Sequence, residues 1–261
     1  MIIRTQTLAQ LKAEGKKFAA LTSYDFLTAQ IFDEAGIQVI LVGDSASNML
    51  GYSSTVPVTV EEIISFGRAV SNAAKHALVV VDMPFGSYES SVELAVATAT
   101  RIMKETGAAA VKLEGGKNRE RQIQAIVQAG IPVMGHVGFT PQSVHSLGGY
   151  KVQGRGENAK KVFDDVEAVE KAGAFAVVIE MVPAELAEEI SKTFAIPTIG
   201  IGAGSKTDGQ ILVWTDFAGL SEKMPKFAKR YLNLRNELLN AVKKYRSEVE
   251  SATFPSQDHE F

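Results

Sequence analysis

Five short apolar runs along the chain end in ionisable residues, and each run has the length of a buried β-strand. Longer segments with helical spacing of apolar residues lie between them, and many begin at a capping residue or stop at a glycine. If the strands lie parallel in one sheet or barrel, their ionisable ends meet at the carboxyl edge, where α/β folds place their active sites. These residues are Asp44, Asp82, Lys112 with Glu114, His136 and Glu180.

Strand candidates alternate with helices along the whole chain, without a linker or a change in composition between them. We count eight strands, and the last covers residues 210–214, where the preceding connection is too short for a full helix. A short amphipathic helix from Thr5 to about Gly15 precedes the first strand. The pattern predicts an α/β fold, a single (β/α)8 TIM-type barrel over residues 1–261 with an extra N-terminal helix, and residues 251–261 as a C-terminal tail.

Two connections rich in glycine or serine follow strand ends at the carboxyl edge. Residues 45–57 are long for a βα loop, which indicates a candidate binding loop. Residues 140–156 contain four glycines and show no clear periodicity, so we expect a mobile lid or specificity loop there. Capping signals predict the neighbouring helices, among them one that Thr59 caps and one that Pro183 opens.

Composition narrows the class of protein. Hydrophobic residues make up 46% of the chain, and a net charge of −3 argues against nucleic acid as the main partner. The absence of cysteine excludes disulfides and thiolate metal sites. The chain shows neither a secretory signal pattern nor an apolar run of about 18 residues, so we expect a cytoplasmic protein that does not enter a membrane.

Three carboxylates on successive strand ends indicate a metal site. Asp44, Asp82 and Glu114 would repel one another at a crowded edge unless a cation neutralised them. Ligation by oxygen alone, in a chain with few histidines, suits Mg²⁺ rather than Zn²⁺. The alternative is that each residue only caps the turn or helix that follows its strand.

Lys112 and Glu114 lie two residues apart, so on a strand they point to the same face. Such a pair has a purely structural explanation, because a buried charge needs a partner. Beside a metal, Lys112 gains a second role, which is to hold the carboxylate or the developing oxyanion of a bound acid. His136 is a weaker candidate for a substrate contact, because a histidine at a strand end is at least as often a structural hydrogen-bonding residue.

Glu180 ends the sixth strand and in a barrel would face the metal site across the mouth. A carboxylate that does not bind the metal is free to act as a base, and burial would raise its basicity. The alternative is a surface glutamate at the start of the helix that Pro183 opens.

Several segments carry a family resemblance that covers nearly the whole chain. The most specific are residues 112–116 (Lys-Leu-Glu-Gly-Gly) and residues 148–156 (Gly-Gly-Tyr-Lys-Val-Gln-Gly-Arg-Gly). With them, the sequence resembles the ketopantoate hydroxymethyltransferase family, also called 3-methyl-2-oxobutanoate hydroxymethyltransferase. The other matching segments are residues 22–25, 42–45, 57–59, 82–85, 135–143, 180–183, 200–204 and 208–210.

The resemblance implies transfer of a hydroxymethyl group from 5,10-methylenetetrahydrofolate to 3-methyl-2-oxobutanoate, giving 2-dehydropantoate in pantothenate (coenzyme A) biosynthesis. It implies that Asp44, Asp82 and Glu114 hold Mg²⁺ and that Glu180 is the proton acceptor of an enolate mechanism. It further implies a homo-oligomer, which in this family is usually a decamer of stacked pentamers, and it leaves the folate-binding residues unassigned. The substrate-binding residues that it implies are Asp44, Ser45, Asp82, Lys112 and His136.

Two positions depart from the family pattern. Ala46-Ser47 stand where Leu-Gly usually follows the Asp-Ser pair, and Thr215 stands where histidine usually precedes the aspartate. Both departures lie outside the implied ligand set, so they bear on loop geometry or folate fit rather than on the reaction.

Two other functions fit parts of the pattern. A related Mg²⁺ barrel of the isocitrate lyase and phosphoenolpyruvate mutase type also handles 2-oxo acid enolates, but such enzymes commonly use a lid cysteine that this chain lacks. A non-catalytic oligomeric scaffold would leave the carboxylates without a function, and inability to bind Mg²⁺ would support it.

Overall fold

Eight parallel strands close into a barrel in the computed structural model, which describes residues 2–261. Each strand pairs with the next one along the chain, and the last pairs with the first. The predicted (β/α)8 barrel is therefore confirmed. The strands are β1 (Phe18–Thr22), β2 (Val39–Val42), β3 (Leu78–Asp82), β4 (Ala110–Lys112), β5 (Val133–Gly138), β6 (Ala176–Glu180), β7 (Thr198–Ile201) and β8 (Gly209–Leu212).

Helices alternate with the strands, and side-chain caps fix where several of them begin. The Asp25 carboxylate accepts a hydrogen bond from the backbone N–H of Thr28. The predicted cap Thr59 is confirmed, and it forms a reciprocal capping box with Glu62. The helices of the barrel are α1 (Thr5–Ala13), α2 (Phe26–Glu34), α3 (Ser47–Leu50), α4 (Val60–Ala73), α5 (Val92–Thr106), α6 (Glu120–Gln128), α7 (Ala159–Lys171) and α8 (Ala184–Thr193).

The main hydrophobic core lies between the outer face of the barrel and the surrounding helices. Val81 and Val111 from the strands are fully buried there, together with Ile63 of α4 and Ile102 of α5. Helices cover the outer face of the barrel, and the strands bury one another's inward-facing side chains. The strands are therefore apolar on both faces. An ionisable residue at a strand end is therefore an exception that needs a reason.

Helix α1 is the predicted extra N-terminal helix, and it reaches the amino ends of the last strands. The Lys12 ammonium donates hydrogen bonds to the carbonyl oxygens of Ser191 and Ile196, and it lies 2.9 Å from the Asp208 carboxylate. Ser191 and Ile196 precede β7, and Asp208 directly precedes β8. The helix therefore closes the end of the barrel opposite to the ionisable strand ends.

Some element boundaries differ from the prediction. Residues 45–57 were predicted to form a long βα loop, and they include the end of a 3₁₀ turn, Asp44–Ala46, and the short helix α3. The backbone N–H of Ala46 bonds to the Gly43 carbonyl and thereby starts this helical turn directly after β2. Strand β8 ends at Leu212 rather than at residue 214, because Trp214 opens a short helix.

The chain divides into two compact units, the first ending at Val213 and the second being Trp214–Phe261. The second unit contains α9 (Trp214–Phe217) and α10 (Leu234–Glu250), and Phe254 contacts Tyr245 of α10 with 5.6 Å between ring centres. One domain over residues 1–261 with a tail at 251–261 stays a prediction, and Met1 lies outside the described residues. Within residues 2–261, no helix has both the length and the apolar character needed to cross a membrane.

Candidate active site

Asp82 and Lys112 are the last residues of neighbouring strands, and the register of β3 and β4 places them side by side. Lys112 Nζ lies 2.7 Å from Asp82 Oδ1, and both side chains are almost fully buried. Burial by itself would lower the pKa of Lys112, but the carboxylates of Asp82, Glu114 and Asp44 raise it above its ordinary value. Lys112 is therefore a fixed positive charge at the carboxyl edge.

Asp44 lies one residue beyond Gly43 in the turn that follows β2. Its backbone N–H donates a 3.0 Å hydrogen bond to Asp82 Oδ2. A Cβ on Gly43 would lie 2.9 Å from Ser45 Oγ and 3.3 Å from Asp82 Oδ2, so glycine permits this close approach. Ser45 Oγ in turn lies 2.7 Å from the hydroxyl of Tyr24, which anchors the serine at the rim of the site.

Glu114 lies two residues beyond the end of β4 and is buried. Its Oε2 accepts a 2.9 Å hydrogen bond from the backbone N–H of Gln142. Its Oε1 has no hydrogen-bond partner within residues 2–261 and lies 3.6 Å from His136 Nδ1. Burial and the neighbouring Asp44 raise the pKa of Glu114 well above its usual range, although Lys112 opposes this shift.

His136 of β5 lies between Lys112 and Glu180. Its Nδ1 is 3.3 Å from Lys112 Nζ, and its Nε2 is 3.1 Å from Glu180 Oε2. Burial and the positive charge of Lys112 lower the pKa of His136 well below its ordinary value, so the ring is neutral near pH 7. A neutral ring whose Nδ1 accepts from Lys112 carries its proton on Nε2, the atom that faces Glu180.

Glu180 is the last residue of β6, and its side chain is only 13% exposed. This burial does not fit the alternative of a surface glutamate. Burial raises the pKa of Glu180 to about 8, against a smaller opposite effect of Lys112. Gly138 has φ +87° and a Cβ there would lie 2.3 Å from the Glu180 carbonyl oxygen, so glycine allows β5 to pass close beside this residue.

Two residues that the sequence analysis did not single out complete the site. The Gln142 side-chain amide donates to Asp44 Oδ2 at 2.9 Å and to the Met83 carbonyl at 3.0 Å. The Tyr88 hydroxyl donates to Gln142 Oε1 at 2.6 Å. Gln142 lies inside one of the matching segments, which was the available signal, whereas nothing in the pattern around Tyr88 distinguished it.

The residues predicted to bind a metal come together, and their chemistry fits a hard cation. Four carboxyl groups, Asp44, Asp82, Glu114 and Glu180, lie near one lysine, so negative charge is in excess if they ionise. Burial raises the pKa of Asp82. The negative charge of Asp44 raises this pKa further, whereas the positive charge of Lys112 lowers it. A bound cation would favour the ionised carboxylates, and the unpartnered Glu114 Oε1 is a free oxygen donor.

The carboxylates of Asp44, Asp82 and Glu114 do not surround a common point in this structure. Within residues 2–261, no group of three or more histidine, aspartate or glutamate side chains has the spacing of a complete metal site. The assignment of Asp44, Asp82 and Glu114 as metal ligands therefore stays a prediction.

A cavity of about 280 Å³ opens beside Glu114 and Gln142. The segment 140–156 contributes part of its lining, including Ser143 and Gln153, and most of this segment lacks regular secondary structure. Its position beside the carboxylates fits a specificity loop, while its predicted mobility stays a prediction.

A parallel barrel with buried acid, base and lysine side chains at its carboxyl edge belongs to the class of (β/α)8 barrel enzymes. Several solved structures share the fold. Phosphonopyruvate hydrolase in complex with oxalate and Mg²⁺ has a TM-score of 0.64 at 14% identity, covering 98% of this chain and 93% of that one. The 2,3-dimethylmalate lyase, a member of the PEP mutase/isocitrate lyase superfamily, has a TM-score of 0.63 at 16% identity, with coverages of 100% and 92%.

Sequence comparison narrows the class. The profile of the family described as ketopantoate hydroxymethyltransferase matches residues 2–257. The 3-methyl-2-oxobutanoate hydroxymethyltransferase of Leifsonia xyli subsp. xyli is 58% identical, with 99% of this chain and 94% of the relative covered. The enzyme of the same name from Rhodococcus jostii is 57% identical, with coverages of 99% and 90%. The chain belongs to the ketopantoate hydroxymethyltransferase family and is a transferase, as the motifs predicted.

Proposed function

We propose that the protein transfers a hydroxymethyl group from 5,10-methylenetetrahydrofolate to 3-methyl-2-oxobutanoate, giving 2-dehydropantoate for pantothenate biosynthesis. The names of its relatives support the acceptor and the transferred group. The observation that carries the chemistry is a buried carboxyl group of raised pKa, Glu180, at one edge with a fixed positive charge, Lys112. This combination suits removal of a proton next to a carbonyl group.

Glu180 is the base in this proposal. It takes the proton from C3 of the keto acid, and the electron pair of the broken C–H bond moves toward the keto oxygen. Its raised pKa makes the ionised carboxylate a stronger base than an exposed glutamate. His136, whose Nε2 lies 3.1 Å from Glu180 Oε2, borders the path of this proton.

Lys112 provides the positive charge for the acid. Its ammonium is held in place by Asp82, so it meets the negative charge of the substrate without a large rearrangement. Asp44, Ser45 and Asp82 contact the keto acid from the neighbouring strand ends. Mg²⁺ held by Asp44, Asp82 and Glu114 would supply further positive charge toward the keto oxygen.

The carbon–carbon bond forms when C3 attacks the one-carbon unit of the folate. The electron pair left by the C3 proton makes the new bond, and water supplies the hydroxyl group of the product. Both C–N bonds of the methylene unit break, and their nitrogens take up the proton held by Glu180 and the second proton of water, so tetrahydrofolate is released. Proton removal and carbon–carbon bond formation therefore take place at the same carbon, C3, one after the other.

We also propose that the protein acts in the cytoplasm as a homo-oligomer, in the form of the decamer that the family resemblance implies. Helix α10 supports assembly, because none of its side chains is buried within the chain and Leu238, Leu239 and Val242 are 49%, 49% and 61% exposed. Exposed apolar side chains on one helix often mark a contact with another protein.

An assay with both substrates and Mg²⁺ tests the function. We expect 2-dehydropantoate and tetrahydrofolate to form in equal amounts, and formation of product to stop when a chelator removes the metal. Absence of product with 3-methyl-2-oxobutanoate, from a protein that is folded and loaded with Mg²⁺, would reject the proposed function.

A further inference from the structure

Gln142 makes direct contacts to two of the carboxylates that the proposed function assigns to the metal. Its side-chain Nε2 donates to Asp44 Oδ2, and its backbone N–H donates to Glu114 Oε2, each at 2.9 Å. The residue is only 5% exposed. One residue thus links the β2 and β4 ends of the site and occupies one oxygen of each carboxylate.

The orientation of this amide is fixed from the other side. The Tyr88 hydroxyl donates to Gln142 Oε1 at 2.6 Å, so the oxygen of the amide faces the tyrosine and the nitrogen faces Asp44. Tyr88 is 1% exposed, and its hydroxyl also accepts a hydrogen bond from the Glu114 backbone N–H at 3.2 Å. The Met83 carbonyl accepts from the same amide nitrogen at 3.0 Å and prevents rotation.

The Glu114 carboxylate keeps one oxygen that Gln142 does not contact. With Oε2 of Glu114 bonded to Gln142, the unpartnered Oε1 is the oxygen left for a ligand. Polar groups that bond to metal ligands from behind orient those ligands and tune their affinity for the ion. A carboxylate free to rotate would lose this orientation and pay an entropic cost on binding.

We propose that Gln142 is a positioning residue for metal binding, which turns Asp44 and Glu114 toward the ion and is itself oriented by Tyr88. The inference rests on the proposed function, because it takes these carboxylates as ligands.

The test measures binding of Mn²⁺, as a spectroscopic substitute for Mg²⁺, by electron paramagnetic resonance without substrate. Gln142→Met keeps the length of the side chain and the backbone N–H but removes the amide. We expect its Kd for Mn²⁺ to rise by about 10-fold to 100-fold, the range for lost partners of metal ligands. Tyr88→Phe removes the hydroxyl that orients the amide and that also accepts from the Glu114 backbone N–H, and we expect a rise in the same direction by a smaller factor.

Gln122→Met is the matched control. Gln122 is similarly buried at 9% exposure and makes its side-chain hydrogen bond to the Glu89 carbonyl rather than to a proposed metal ligand. We expect it to bind Mn²⁺ like the wild type, with calorimetric unfolding confirming that all variants are folded. If Gln142→Met does not fold, Gln142→Leu, which also removes the amide and keeps the backbone N–H, is measured in its place.

Two negative results are distinguishable. Wild-type affinity for Mn²⁺ in folded Gln142→Met and Tyr88→Phe would overturn the inference and leave the proposed function standing. A wild-type protein that binds no Mn²⁺ would overturn the metal assignment, and the inference with it.

Discussion

Single residues at the carboxyl edge differ in how their surroundings set their charge. Lys112 stays positive because carboxylates surround it, His136 stays neutral because burial and Lys112 disfavour its protonated form, and burial makes Glu180 more basic. These opposite effects within one small volume give each side chain a different charge or basicity, and the proposed roles depend on these differences. The roles can be tested one residue at a time.

Glu180→Gln tests the base. Glutamine keeps the size and hydrogen-bonding shape of the side chain but cannot accept the proton, so exchange of the C3 hydrogen of 3-methyl-2-oxobutanoate in heavy water should fall by about 100-fold or more. Overall transfer should fall with it, while Mg²⁺ and keto acid still bind. NMR of the C3 proton without folate measures the exchange.

Glu188→Gln is the control for this experiment. Glu188 lies on the surface of α8, paired with Lys192, and its replacement should leave exchange unchanged. Exchange at the wild-type rate in Glu180→Gln would show that another group removes the proton.

Asp44→Ala and Asp82→Ala test the metal ligands. Both variants should lose Mg²⁺-dependent activity, because each removes a carboxylate of the proposed site. Asp82→Ala should also lose about 3 kcal/mol of stability, since it leaves the buried Lys112 without its partner at 2.7 Å. Calorimetric titration with Mg²⁺ and denaturant unfolding measure the two effects, and unchanged Mg²⁺ affinity in both variants would remove the assignment.

Connections between elements depend on a few buried polar side chains, and Asp33 of α2 shows how. Its carboxylate accepts hydrogen bonds from the backbone N–H groups of Lys75, His76 and Ala77, which join α4 to β3. His76 Nδ1 lies 2.9 Å from the same carboxylate. Burial alone would raise the pKa of Asp33, but these donors lower it to about 2. The aspartate therefore holds the entry to β3 only while it is ionised.

Asp33→Asn should lower the free energy of unfolding by about 2 kcal/mol at pH 7. The folded-state pKa lies below the unfolded value of about 3.9, so the wild-type advantage is complete above that value and disappears as the pH falls toward 2. Urea unfolding at pH 7 and pH 3 should therefore show a smaller difference between the two proteins at pH 3.

Asp164→Asn serves as the control, because Asp164 makes a surface ion pair with Lys160. Its effect should stay below about 0.5 kcal/mol at both pH values. A difference between wild type and Asp33→Asn that does not change with pH would contradict the role of the ionised carboxylate.

Regular elements were predictable because their signals are local. Apolar runs, the Thr59 cap and glycine stops placed the strands and helices within a few residues, and the polar ends of the strands indicated the site. The contacts of Gln142 and Tyr88 were not predictable, because both residues lie in connections between strands and helices, where burial depends on distant parts of the chain. The helical turn after Asp44 was missed for a related reason, since glycine and serine in that segment are equally typical of a loop.

The protein should form a homo-oligomer, with the decamer as the expected form. With 28.0 kDa per chain, a decamer has a mass of about 280 kDa. Light scattering across a dilution series should give this mass at micromolar concentration, since the proposed assembly would cover the exposed apolar residues of α10 in every copy. A stable monomer at micromolar concentration would contradict the assembly.

Closure of the barrel also sets a schedule for folding during synthesis. Phe18 of β1 pairs with Gly209 of β8, so the first strand to leave the ribosome cannot complete its pairing until the last strand has been made. At about 5 to 20 residues per second, the interval between them is about 10 to 40 s. β1 can pair with β2 early, but until β8 is made its other edge has no partner, and Lys12 of α1 lacks Asp208. Translation speed between β1 and β8 therefore sets how long each new chain remains open to association with its neighbours.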